Sequence, residues 1–94
     1  MALYILLSNL TDDGAATIKS NPARIQEVSA ELGEMGVKVV AQYATLGPHD
    51  FVNIVEAPDN ETIARVSVEL SSRGSVRIQT MPAIPVDDFV ASLS

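Results

Sequence analysis

Apolar residues along this chain fall either into short continuous runs or into runs with helical spacing, and the continuous runs predict a β-sheet. Three such runs, at residues 2–9, 37–46 and 51–56, are rich in aliphatic and aromatic residues. Runs of this length bounded by turn residues are typical of strands. A fourth strand is predicted at 75–81, where apolar and polar residues alternate, and Pro82 is expected to end it.

Two segments between these strands place apolar residues at helical spacing. In the first, Asn21 is expected to cap a helix, Pro22 to occupy its first position and Gly36 to end it. The second helix is expected to run from Asp59 to Arg73 and to end at Gly74. The apolar stripes are Ile25, Val28, Leu32 and Met35 in the first helix and Ile63, Val66 and Leu70 in the second.

Two shorter helices are predicted outside this pattern. One runs through Ile18 and is expected to be capped by Asp12 or Asp13. The other is a tail helix at 86–93, capped by Asp87, with one apolar side.

A short polar break, Gly47-Pro48-His49-Asp50, predicts a hairpin between the second and third strands. Gly, Pro and Asp all favour turns, and a loop of about four residues joins antiparallel neighbours. The expected register places Leu46 opposite Phe51, Thr45 opposite Val52 and Tyr43 opposite Ile54.

The resulting order of elements is β-α-β-β-α-β, which predicts an α+β domain. Two right-handed crossovers around a central hairpin give a ferredoxin-like plait, a four-stranded antiparallel sheet with both helices on one face. We therefore expect a single domain over residues 1–94, with a core at 2–82 and a C-terminal tail at 83–94.

The first strand is apolar on both of its sides, although helices would cover only one face of the sheet. Leu3, Ile5 and Leu7 alternate with Tyr4 and Leu6. A chain of 94 residues buries only roughly 60–65% of its unfolded surface, so further burial would add to its stability. The expected partner is therefore a second copy, in a homodimer or a higher oligomer.

The amino-acid composition disfavours several other classes of partner and several kinds of site. The net charge of −6 and pI near 4.4 disfavour nucleic acids and anionic membrane surfaces. There is no Cys to form disulfides or thiolate metal sites. The apolar N-terminus is too short to span a bilayer and lacks the basic start of a signal peptide. These features predict a soluble cytoplasmic protein with no metal and no cofactor.

A set of residues spread over positions 3 to 89 resembles the GYD-domain family. The resemblance is carried by Leu3-Tyr4, Thr11, Gly14, Ile18, Arg24, Gly36, Tyr43 to Gly47, Asp50 and Glu56 to Asp59. The chain departs from the family at His49, where a Tyr is usual. The resemblance implies a ferredoxin-like fold related to dimeric α/β barrels, a group that includes small-molecule oxygenases and isomerases, and it implies no established general function.

Four residues are candidates for chemistry. His49 is the only histidine and lies beside Asp50, so the pair could act as a general base; the alternative is an exposed turn His next to an Asp that accepts backbone N–H bonds. Tyr43 is a candidate catalytic or ligand-binding residue, or part of the core or an interface. Arg77 could bind an acidic ligand or pair with Glu56. The candidate ligand-binding set is Tyr43, His49 and Arg77.

Three functions remain open from the sequence alone. The favoured one is a homo-oligomeric module that binds a small molecule or regulates a partner. The second is a small cofactor-free enzyme of oxygenase or isomerase type, with a pocket between its own sheet and the sheet of a partner copy. The third is a structural assembly subunit, for which the interface would be filled and no polar groups would converge.

Overall fold

The computed structural model describes all 94 residues and confirms the ferredoxin-like α+β fold. The sheet is antiparallel with strand order β2-β3-β1-β4. No helix has the length and apolar character needed to cross a membrane. The elements are β1 Ala2–Leu10, α1 Asp12–Ser20, α2 Arg24–Glu34, β2 Lys38–Ala44, β3 Phe51–Ala57, α3 Asn60–Ser72, β4 Val76–Ala83 and α4 Val86–Ser92.

Alternation along β1 gives the sheet two different faces. Tyr4, Leu6 and Ser8 are buried and face the helices. We call this side of the sheet the covered face. Side chains at 3, 5 and 7 point to the opposite side, which we call the open face. The core on the covered face consists of Tyr4, Leu6, Leu32, Val37, Val55, Ala57, Ile63, Val66 and Leu70.

The open face has an apolar centre, as the strand register shows. Ile5 in β1 lies between Ile54 of β3 and Met81 of β4. Leu7 lies between Val52 and Gln79 in the next row. Charged residues occur only towards the ends of this face: Lys38, Glu56 and Arg77.

The predicted hairpin is present, but its predicted register is wrong. Tyr43 pairs with Val52 and Ala44 with Phe51. The loop is longer than expected because β2 ends at Ala44. A hydrogen bond of 2.8 Å from the Thr45 N–H to the Asp50 carbonyl closes the loop, so residues 45–50 all belong to it.

Several predicted element ends are also wrong. Helix α2 begins at Arg24, after a turn at residues 22–23, so Asn21 and Pro22 do not start it. Strand β4 continues through Pro82, which lies opposite Tyr4 on an edge strand. An edge strand tolerates Pro because its outward N–H has no ladder partner to lose.

Of the other three helix caps, one agrees with the sequence and two differ. Asp59 caps α3 by accepting a bond of 2.8 Å from the Thr62 N–H, and the hydrogen bonds from Thr62 lower the pKa of that carboxyl. Helix α1 is capped by Thr11, not by an aspartate, through a bond from the Gly14 N–H. Helix α4 follows Pro85 and has no side-chain cap, so Asp87 does not cap it.

Candidate functional site

A cavity of about 310 Å³ lies on the covered face of the sheet, beneath the helices. Its volume is at the lower end of the range for small-molecule sites. Residues of all four strands form its floor, and its other walls are formed by α1, α2 and the C-terminal end of α3. Twelve of its twenty lining residues are hydrophobic, so the interior suits an apolar molecule.

Three polar side chains interrupt the apolar floor of the cavity. Gln42, Asn53 and Ser8 all line the cavity. The Gln42 Oε1 accepts a bond of 3.1 Å from the Ser29 hydroxyl of α2. The Asn53 Oδ1, in contrast, is buried and has no hydrogen-bond partner. A buried acceptor left without a donor costs stability, and such groups are rare in folded proteins.

Two arginines, Arg24 at the start of α2 and Arg73 just after α3, also line the cavity. Glu31 binds both of them: its Oε1 lies 3.1 Å from the Arg24 Nη1 and its Oε2 lies 2.6 Å from the Arg73 Nη1. Arg24 also pairs with Glu27 at 3.2 Å. The hydrogen bond from Arg73 is the main cause of the lowered pKa of Glu31, and the hydrogen bond to Glu27 is the main cause of the raised pKa of Arg24.

The charges along the cavity wall differ from those of the chain as a whole. The chain has twelve acidic and six basic residues, yet Arg24 and Arg73 are the only charged residues that line the cavity. Glu31, which holds both arginines in place, is not part of the lining. No three potential metal ligands cluster anywhere in the structure. The cavity therefore presents cationic donors, and no Asp, Glu or His that could act there as a general base.

His49 and Asp50 lie in the loop after β2, and each has a partner of its own. The His49 Nδ1 is 2.8 Å from the Asn9 Oδ1, and the Asn9 amide donates to the Pro48 carbonyl at 2.8 Å. The Asp50 Oδ2 accepts a bond of 2.8 Å from the Leu10 N–H. Asp50 thus accepts a backbone N–H bond from β1, and these bonds fasten the hairpin loop to the end of that strand.

Tyr43 and Arg77 lie on opposite edge strands. Tyr43 borders the cavity on β2, and 58% of its surface is exposed. Arg77 is exposed on β4 opposite Asn9, outside the cavity lining. It forms no ion pair with Glu56, because Glu56 pairs with Leu3 at the other end of β1. The structure therefore does not bring Tyr43, His49 and Arg77 to one cavity.

The enzyme hypothesis places its pocket between two sheets, whereas the cavity lies on the side that the helices cover. The sequence reasoning missed Asn53, Arg24 and Arg73 as site residues. A signal for Asn53 was available, because strand alternation puts it on the same side as Phe51 and Val55. An amide in the middle of a buried strand face is unusual. Arg24 and Arg73 are distant in sequence, and no local pattern predicts that they meet.

Comparisons with known proteins agree with this architecture. A protein from Thermus thermophilus, named glutamine synthetase and cystathionine beta-lyase binding protein, is 58% identical over 94 residues, and 99% of each chain is covered. The crystal structure of TTHA0845, also from Thermus thermophilus, matches with a TM-score of 0.58 and 24% identity, over 90% of this chain and 95% of that one, which shows a shared fold. The GYD domain model matches residues 4–93. The chain therefore belongs to the GYD domain family.

Proposed function

We propose that this protein is a binding and regulatory module that associates with metabolic enzymes, namely the glutamine synthetase and the cystathionine β-lyase of its own cell. The observation that carries the proposal is the 58% identity, over 99% of both chains, to a protein named for binding these two enzymes. Association with metabolic enzymes is compatible with a cytoplasmic location.

The lining of the cavity supports binding over catalysis. A cofactor-free oxygenase or isomerase needs a positioned acid or base near its substrate. The cavity has no Asp, Glu or His in its wall, and the His49 ring is bonded to Asn9 outside it. The groups that could transfer a proton thus do not converge where a substrate would lie.

We assign the open face of the sheet to contact with a second copy of the chain. A two-fold interface places the same patch of each copy against the other. Because the centre of this face is apolar and its charges lie towards the ends, two copies can meet there without burying like charges. Two sheets packed face to face about 10 Å apart would cover the side chains of Ile5 and Ile54.

We assign contact with the enzymes to α4. None of its residues is buried, and the four large apolar residues of the helix and its C-cap are 50–72% exposed. These residues, at positions 86, 89, 90 and 93, have the spacing of one helix side, and Asp87 and Asp88 lie off it. Such a helix fits an apolar groove on a partner. The family model extends to residue 93, so the matched region includes α4.

The test of this function is a binding titration of the full-length protein against each purified enzyme from the same genome. We expect saturable binding at micromolar concentration or tighter. The Phe89→Ser variant should weaken binding about tenfold or more, because exposed aromatic residues are frequent anchors of interfaces. The Val68→Ser variant is the matched control, because Val68 is also exposed, on α3, and lies outside the proposed surface.

Two results would contradict the proposal. If neither enzyme binds at about 100 μM, where even weak specific complexes are populated, the enzyme-binding role is wrong. If both enzymes bind the Phe89→Ser variant as tightly as they bind the unchanged protein, the role stands but the assignment of α4 is wrong.

A further inference from the structure

We propose that the cavity on the covered face binds a small organic acid. The ligand would carry a carboxylate at one end, an apolar body in the middle and a hydrogen-bond donor at the other end. This inference goes beyond the enzyme-binding role and does not depend on it, because it concerns a site on the other side of the sheet from the proposed contact between copies.

The guanidinium groups in the cavity wall favour an anionic ligand. Both charged lining residues, Arg24 and Arg73, are cations, although the chain as a whole is acidic. Glu31 joins them through two ion pairs and so keeps the two guanidinium groups near each other. Two neighbouring guanidinium groups provide the geometry that recognises a carboxylate.

These ion pairs leave donors free for a ligand. A guanidinium has five N–H donors on three nitrogens. Arg24 uses only its Nη1 for Glu27 and Glu31, and Arg73 uses only its Nη1 for Glu31. The remaining nitrogens of both side chains make no hydrogen bond within the protein, so a carboxylate can bind without displacing Glu31.

Asn53 indicates the second polar group of the ligand. Its Oδ1 is buried in the cavity floor without a donor, although the cavity is otherwise mainly apolar. An N–H or O–H group on a ligand would satisfy this acceptor and remove the cost of leaving it unpaired. A site built in this way should discriminate against the analogue that lacks the donor.

The rest of the wall sets the character of the ligand between these two ends. Ile25 and Val28 of α2 and Leu70 of α3 line the cavity opposite the sheet. A volume of about 310 Å³ accommodates a molecule with one single or fused aromatic ring system or a medium-length aliphatic chain, but no nucleotide or large cofactor. The inferred ligand class is therefore small monocarboxylic acids with a distal hydroxyl or N–H.

Isothermal titration calorimetry of the full-length protein tests the proposal with three probes: indole-3-acetate, 3-(4-hydroxyphenyl)propionate and 8-hydroxyoctanoate. Each has a carboxylate and a distal donor separated by an apolar body. At least one is expected to bind with a Kd below about 1 mM. Its amide, which lacks the charge, and its analogue without the distal donor should each bind about tenfold more weakly.

Variants assign this binding to the cavity. Arg73→Gln should weaken binding of the best probe about tenfold. Asn53→Leu should abolish the difference in affinity between that probe and its analogue without the distal donor. Arg65→Gln is the control with the same loss of charge, because Arg65 is exposed on α3 and does not line the cavity. Arg73 is also partly exposed, so its variant is expected to remain folded, and thermal unfolding will verify this for every variant.

Three outcomes would overturn the proposal. One is that no probe binds below about 1 mM. Another is that the amide binds as tightly as the acid, which would show that the site does not recognise the charge of the carboxylate. The third is that Arg73→Gln and Arg65→Gln weaken binding equally, which would place binding outside the cavity. Since none of these measurements involves the enzymes, their failure is distinct from a failure of the proposed function.

Discussion

The two faces of the sheet each depart from the pattern of a sheet with one wet side. Such a sheet normally buries apolar residues and exposes polar ones. Here the covered face is mainly apolar but contains the polar side chains of Ser8 and Asn53 in its cavity floor, whereas the centre of the open face contains Ile5 and Ile54. Polar groups thus interrupt the surface under the helices, and apolar groups also lie where no helix covers them.

These two departures favour two kinds of recognition. Polar groups around a mainly apolar cavity are typical of a small-molecule site. An exposed apolar patch with charged ends is typical of a protein interface. Under the two proposals, the chain uses one sheet for both tasks, with a ligand on the covered face and a second copy on the open face.

The largest expected effect comes from placing a charge at the centre of the open face. In an Ile54→Asp variant, the proposed dimer would bury an unpaired carboxylate from each copy, at a cost of about 3–5 kcal/mol or more. We expect the dimer dissociation constant to rise at least about 100-fold, as measured by sedimentation equilibrium. Val68→Asp, on the helical side, should leave dimerisation unchanged. Equal effects of the two variants would contradict the assignment of the open face.

The next largest effect compares two neighbouring leucines that point to opposite faces. Leu6 is 2% exposed in the core, so Leu6→Ala should lower the free energy of unfolding by about 2–5 kcal/mol. Leu7 lies on the open face, and Leu7→Ala should cost about 1 kcal/mol or less in the monomer. Urea unfolding measures the free energy of unfolding of both variants, and the added Ile54→Asp substitution keeps both of them monomeric. Similar losses for the two would show that the faces do not differ as described.

A smaller effect, in the opposite direction, is expected at Asn53. Asn53→Leu removes a buried acceptor without a partner, so the unliganded protein should gain about 1 kcal/mol of stability. Gln79→Leu, an exposed position on β4, is the control and should change stability by less than about 0.5 kcal/mol. A clear loss of stability in Asn53→Leu, measured by urea unfolding, would show that Asn53 has a structural role in place of the proposed ligand-binding one.

The smallest effect concerns the ion pairs beside the cavity. The pKa of Glu31 is lowered in the folded protein, mainly by the hydrogen bond from Arg73. The ionised Glu31 therefore stabilises the fold fully above the ordinary pKa range of glutamate, and this stabilisation is lost as the pH falls through the pKa of the folded state. The difference in Tm between the unchanged protein and Glu31→Gln should be a few degrees at most near neutral pH, because these groups are partly exposed.

Lowering the pH should remove this difference in Tm. Glu34→Gln, on the same helix without an ion pair, is the control for the loss of one carboxylate. A Glu31→Gln difference that grows as the pH falls would contradict the assigned ion pairs.

The sequence predicted the fold well because its main signals are local. The strand runs, the helical stripes and the Asp59 cap are each set by neighbouring residues, and the topology follows from their order. The helix starts and the hairpin register were wrong because they depend on competing local bonds. Thr11, and not an aspartate, caps α1. The hydrogen bond from the Thr45 N–H to the Asp50 carbonyl closes a loop that is longer than the predicted one.

The candidate site was harder to predict because it depends on contacts between distant segments. The sequence drew attention to His49 as the only histidine, yet its ring binds Asn9, a residue 40 positions away. The two arginines of the cavity are brought together by Glu31, which is 42 positions from Arg73. Such pairings depend on the three-dimensional fold and have no signature within a single segment.

Sedimentation equilibrium of the unchanged protein tests the central claim, that a second copy covers the apolar open face, most directly. Measured from nanomolar to tens of micromolar, the mass should approach twice that of the 10.0 kDa chain within the micromolar range. A mass that stays at that of one chain throughout this range would contradict the account.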